Sequence, residues 1–239
     1  MSRILVATMA ACLLGLLAAP ARADEADLRK AFQARFPEAT VESITRTPFT
    51  GLYEIVFDGQ VVYADEKLNY MFFGNLYDMR GRTERNLTRD RTAQLTAESL
   101  SKATASAIKR VRGNGKRTIY TFEDPNCGYC KAFQKELAKV NDVTIYTFLW
   151  PILSPDSVDK SKAVWCAKDR VKAWDDVLMR GVVPQNDGKC ETPLEKNKEL
   201  AQRFGARGTP AVYLADGRQI GGMVPADKIE EALSSVPAK

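Results

Sequence analysis

The chain has 239 residues, a length comfortable for two domains, with 35 basic and 30 acidic side chains interspersed along it and no histidine. A formal charge of +5 without a long cationic block argues against nucleic-acid binding. The absence of histidine excludes Ser–His and Cys–His catalysis and mixed cysteine–histidine zinc sites, which leaves the five cysteines as the conspicuous chemistry.

The first residues read as a secretory signal. Arg3 gives a positive start, Ile4 to Leu17 is apolar, and Ala21-Arg22-Ala23 fits the small-x-small cleavage pattern, so cleavage is predicted after Ala23. The apolar stretch falls short of the ~20 residues a spanning helix needs. The mature chain, from Asp24 onward, is therefore expected to be soluble and exported. It loses Arg3, Arg22 and Cys12, which lowers the net charge to +3 and leaves Cys127, Cys130, Cys166 and Cys190.

Glu25 to Phe36 alternates at helical period and stops at Pro37. Strand-like runs follow: Leu52 to Phe57, the turn Asp58-Gly59, Gln60 to Tyr63, and Tyr70 to Phe73; Asp-Gly between such runs is a strong hairpin signal. The first domain (24–90) is thus a short helix and a small antiparallel sheet. Its edges are predicted to pair with a second copy, with Gly74 allowing close backbone approach. The alternative is a monomer whose edge is shielded by Lys and Asp side chains. Leu95 to Val111 reads as a connecting helix within a linker spanning 91–112, ended by Gly113-Asn114-Gly115.

From residue 113 onward the pattern alternates. Arg117 to Phe122 is a strand, Lys131 to Val140 a helix and Val143 to Phe148 a second strand, which predicts a parallel pair with a right-handed crossover. A mainly helical segment, about 155–205, holds Cys166 and Cys190 and ends at Gly205. Ala211 to Leu214 and Gln219-Ile220 form a hairpin, and Ala226 to Leu233 closes the chain as a helix.

Cys127-Gly128-Tyr129-Cys130 lies between the first of these strands and its helix. A cysteine there sits where unpaired backbone N–H groups and the positive end of the helix dipole favour a thiolate. With a second thiol within reach, it can attack a disulfide and then release itself. Lys131 after Cys130 excludes c-type haem attachment, which needs histidine. Four cysteines allow three connectivities. The close pair is most simply one redox unit, which makes Cys166–Cys190 a structural bridge; two buried free thiols are the alternative there. A four-cysteine zinc site is poorly supported, because Cys166 and Cys190 form no second close pair, and no metal or other cofactor is predicted. A purely structural Cys127–Cys130 bridge would close too short a loop to stabilise much.

These segments, with Gly208-Thr209-Pro210 ahead of the hairpin, resemble a thioredoxin fold carrying a helical insertion. Trp165-Cys166-Ala167-Lys168, Gly208-Thr209-Pro210-Ala211-Val212 and Gly74-Asn75-Leu76-Tyr77-Asp78 are closer still to the bacterial periplasmic disulfide isomerases of the DsbC/DsbG type, over essentially the whole mature chain. The resemblance implies an α+β dimerisation domain joined to an α/β catalytic domain (113–239), in a V-shaped periplasmic homodimer with a shared apolar cleft. It implies Cys127 as nucleophile and Cys130 as its partner. Thr209 and Pro210, with Gly128 and Tyr129, would hold the substrate strand, and Pro210 is cis in the family. Implied partners are misfolded disulfide-containing exported proteins and an inner-membrane thiol reductase. One departure stands out. Thioredoxin carries a buried acid six residues before its first cysteine, where this chain has Thr121, so no proton shuttle is assigned there. Glu123 and Asp124 read as surface or helix-capping residues. A disulfide-donating oxidase, a sulfenic-acid or disulfide reductase of the same fold, and a holdase chaperone are the competing functions.

Overall fold

A computed structural model describes residues 21–237. The apolar leader lies outside the described residues, and the expected cleavage point falls in the first turn of α1 (Ala21–Arg35). Among the described residues no helix is long and apolar enough to cross a membrane.

The N-terminal unit packs α1 on an antiparallel sheet ordered β1 (Val41–Arg46), β2 (Leu52–Phe57), β3 (Gln60–Asp65), β4 (Met71–Phe72). Leu28 and Phe32 of the helix meet Ile44, Tyr53, Ile55, Val62 and Ala64 in one apolar cluster. The β2–β3 turn is the expected tight hairpin: Asp58 and Gly59 both have positive φ (47° and 77°), the conformation that matches the strands' right-handed twist. The edge strand β4 is only two residues long, because Tyr70 and Phe73 fall outside the ladder. A small ribbon, β5 (Tyr77–Asp78) and β6 (Arg85–Asn86), leads into α2 (Leu87–Lys102), capped by the Asn86 side chain accepting from the Arg89 amide.

The connecting helix is shorter than the sequence reading, and this is a correction. It ends at Lys102, a single 3-10 turn follows, and Ile108–Arg112 forms a strand, β7, antiparallel to β9 (Val143–Leu149). Ile108 and Val111, three apart, continue the helical spacing from Leu95, but in the strand they face opposite ways, Ile108 buried and Val111 exposed; the chance to complete a sheet edge outweighs the local pattern. Nor is α2 a free tether. Its start donates and accepts against the first sheet through Tyr63–Thr88 at 2.6 Å and Arg91–Glu54 at 3.0 Å. Its end buries Leu100 in the core of the C-terminal unit. Between these, Gly217 passes so close to the backbone of Ala93 and Ala97 that a Cβ there would overlap it.

The C-terminal sheet runs β11 (Gln219–Ile220), β10 (Ala211–Leu214), β8 (Arg117–Glu123), β9, β7, with β8 and β9 parallel as predicted and the other pairs antiparallel. One face carries α3 (Gly128–Leu137) and α7 (Ala226–Ser234) over Ile119, Ile145, Val212 and Leu214. The other carries the end of α2 and α6 (Leu194–Arg203), which stops at Gly205 as predicted. The helical insertion, α4 (Pro155–Trp165), α5 (Arg170–Asp175) and a following wide turn, packs Val164, Trp165, Trp174, Val177 and Leu178 directly against Cys127 and Cys130.

Candidate active site

The site forms where β8 ends and α3 begins. Cys127 is the N-cap of α3: its sulfur accepts from the Cys130 amide at 3.3 Å, so the first turn presents a backbone donor to sulfur. The Cys127 thiol donates to the Thr209 carbonyl at 3.2 Å. The Thr209–Pro210 peptide is cis, which brings this stretch alongside the sulfur. Gly128 has open space over it and Tyr129 is 71 % exposed, whereas Cys127 is 6 % and Cys130 0 % exposed. Both are free thiols. The geometry therefore offers one sulfur near the surface and a second sealed behind it. Burial, together with the Glu123 charge, pushes the Cys130 thiol far above the usual thiol range. Of the four residues expected to hold a substrate strand, Thr209 touches Cys127 through its carbonyl, Pro210 follows it across the cis bond, and Gly128 and Tyr129 follow Cys127 in the first turn of α3. Cys166 and Cys190 are bonded to each other, tying the end of α4 to the segment before α6.

Two residues were misread from sequence. Glu123 and Asp124 are not at the surface; both are 0 % exposed. A central strand of a covered sheet is buried on both faces to its end, and Glu123 is the last residue of β8. Asp124 accepts from the amides of Asn126 (2.7 Å), Ile152 (2.8 Å) and Leu153 (3.0 Å) and from the Ser157 hydroxyl (2.9 Å). It thereby fixes the active-site approach to the apolar loop 151–154. Asn126 adds donors to Asp156 (2.7 Å) and Ser157 (2.9 Å). Glu123 accepts from Gln134 Nε2 at 2.7 Å, yet burial pushes its carboxyl up to about 7. Sequence order gave one clue to Glu123: it lies two residues beyond Thr121 and so on the same face of β8.

A Cys-x-x-Cys pair at a helix start, its first sulfur bonded to the carbonyl that precedes a cis proline, and a mixed sheet with helices on both faces define a thiol–disulfide oxidoreductase of the thioredoxin fold. Residues 104–237 match the family described as thioredoxin-like domain, and residues 19–89 match the disulfide bond isomerase protein N-terminal domain. The chain is 38 % identical over 207 residues to a probable thiol:disulfide interchange protein DsbC of Bordetella parapertussis, covering 86 % of this chain and 73 % of that one. It is 28 % identical over 220 residues to the thiol:disulfide interchange protein DsbC of Escherichia coli K12, covering 89 % of each. The crystal structure of a disulfide interchange protein from Neisseria gonorrhoeae superposes with a TM-score of 0.52 at 39 % identity, over 55 % of this chain and 95 % of that one. The chain belongs to the DsbC family of thiol:disulfide interchange proteins.

Proposed function

We propose that this protein is a homodimeric periplasmic disulfide isomerase in which Cys127 is the nucleophile. The observation that carries this reading is the asymmetry of the pair: Cys127 caps α3 with its sulfur bonded to the Cys130 amide, while Cys130 is sealed beneath it. Cys127 thiolate attacks a wrong disulfide, forming a mixed disulfide and releasing one substrate thiolate. Another substrate thiol then displaces Cys127, giving a new pairing with no net redox change. Otherwise Cys130 attacks Cys127, which releases reduced substrate and leaves the enzyme oxidised. A membrane thiol reductase is the electron donor that returns it to the dithiol. Thr209 and Pro210 pair with the substrate strand, and Gly128 and Tyr129 border it. Cys166–Cys190 serves stability.

The division into 24–90, a linker and a catalytic unit, with export after Ala23, belongs to the same reading; β7 moves the end of the linker back towards Ala103. Dimerisation is supported by the exposed aromatic edge, with Tyr70 at 71 % and Phe73 at 70 % exposure flanking β4, and by Gly74, over which space is open. Exposed Tyr129, Ile152, Leu153 and Met223 would also let this face hold unfolded chains, which supports an accompanying chaperone activity. The test is reactivation of a scrambled multi-disulfide substrate by the reduced 24–239 protein. Recovery of native pairing is the expected result. Failure, with rapid oxidation of a reduced substrate by the disulfide form, would reassign the protein as an oxidase.

A further inference from the structure

We propose that Glu123 is the proton acceptor for Cys130 when a mixed disulfide on Cys127 is resolved, and that it thereby sets how often an adduct ends as reduced rather than rearranged substrate. This rests on the roles assigned above to the two cysteines.

The placement is built from three contacts. Cys130 and Gln134 are both buried and stand one turn apart on α3, on the same face of the helix. Gln134 Nε2 holds Glu123 Oε1 at 2.7 Å, which brings the carboxyl to the α3 turn that carries the buried sulfur. The other oxygen, Oε2, is buried without a well-formed hydrogen bond; the Thr121 hydroxyl beside it on β8 eases its charge but donates to Thr147 at 3.2 Å. The cation whose field reaches the group, Arg110 on β7, is itself bound to Asp175 of α5, and among the described residues no salt bridge is formed by Glu123. A structural carboxylate in such a place would be expected to be paired. This one is held at one oxygen and left open at the other, next to a thiol that must lose a proton.

Charge explains why the acceptor has to be local. Loss of the Cys130 proton to solvent would put a thiolate beside the Glu123 carboxylate, two like charges in a dry pocket, and that repulsion already opposes ionisation of Cys130. Transfer to Glu123 keeps the pocket at a single negative charge. The thiolate then attacks Cys127: the Cys130–Cys127 bond forms and the Cys127–substrate bond breaks. The electron pair of the broken bond leaves on the substrate sulfur as thiolate, which takes up a proton. The substrate is reduced and the enzyme pair oxidised. Displacement of Cys127 by a substrate thiol uses neither Cys130 nor Glu123. Protonating Glu123 therefore tilts adducts towards rearrangement.

The test is rapid mixing of the reduced 24–239 protein with oxidised glutathione, acid quench, and mass detection of the Cys127–glutathione adduct from pH 5 to 9. In the wild type, adduct decay should rise with pH through an inflection near that of Glu123, about 7. Glu123→Gln should slow decay about 100-fold at pH 7.5, as expected on loss of a proton acceptor, and abolish the inflection. Glu123→Asp should recover part of the rate and restore an inflection. Decay in Glu123→Gln within threefold of wild type, or slowed with the inflection retained, would overturn the proposal. If no adduct formed in the wild-type protein at any pH, the nucleophile assignment and this proposal would fall together; normal adduct formation with unaltered decay would remove only the role of Glu123.

Discussion

Replacing Glu123 by glutamine should stabilise the protein at alkaline pH, by an amount that follows from its burial. The carboxyl has no solvent exposure, and desolvation raises it from 4.5 to about 7. The folded state thus holds this proton more tightly than the unfolded chain does. Its contribution to stability is complete below pH 4.5 and is lost as pH rises to 7. At about 1.4 kcal/mol per pH unit the loss is about 3 kcal/mol, most of it between pH 5 and 8. Glutamine keeps the shape, can still pair with Gln134, and does not titrate. Urea unfolding of both reduced proteins at several pH values is the assay. The variant should match the wild type near pH 5 and exceed it by about 3 kcal/mol at pH 8. The surface carboxylates shared by both proteins cancel in that difference. A difference that stays constant from pH 5 to 8 would refute the reasoning, because it would mean that Glu123 titrates alike in the folded and unfolded states.

Three further outcomes are expected. Cys166→Ala/Cys190→Ala opens a bridge spanning 24 residues, which should cost roughly 3.5 kcal/mol and lower the melting temperature by roughly 10 °C in calorimetry; a drop under 2 °C would contradict a structural role. Asp124→Ala strands the amides of Ile152 and Leu153 and should destabilise by about 3 kcal/mol in urea titration, while Asp124→Asn, which keeps an acceptor, should lose clearly less. Phe73→Glu on the exposed edge should shift the protein from dimer to monomer in sedimentation velocity; a wild-type monomer at micromolar concentration would refute the edge-pairing argument.

The parts of this molecule legible in sequence are those where local chemistry and tertiary structure agree. Asp58-Gly59 dictates its hairpin, and Cys127 reads as a helix start because a strand, a turn and a helical period meet there. The remaining cysteines could be paired because few partners were left for them. What was misread depends on neighbours distant in the chain. Ile108–Arg112 is a strand because β9 offers it an edge, and nothing within five residues reveals that. Glu123 and Asp124 look like the solvated acids that often precede a helix. They are buried because the insertion and the loop 151–154 close over the end of β8. The four interactions of Asp124 come from residues up to 33 positions away. The same closure buries Glu123 together with Cys130, so the part of the site that sequence concealed is the part that lies behind the outer cysteine.

The central claim is that Cys127 attacks and Cys130 resolves. It is tested most directly by exposing the Cys130→Ser and Cys127→Ser variants of the 24–239 protein to a disulfide-scrambled substrate and separating the products without reductant. Cys130→Ser should accumulate a thiol-sensitive covalent adduct through Cys127, and Cys127→Ser should form none and have no isomerase activity. Adducts on Cys127→Ser, or full activity in that variant, would contradict the account.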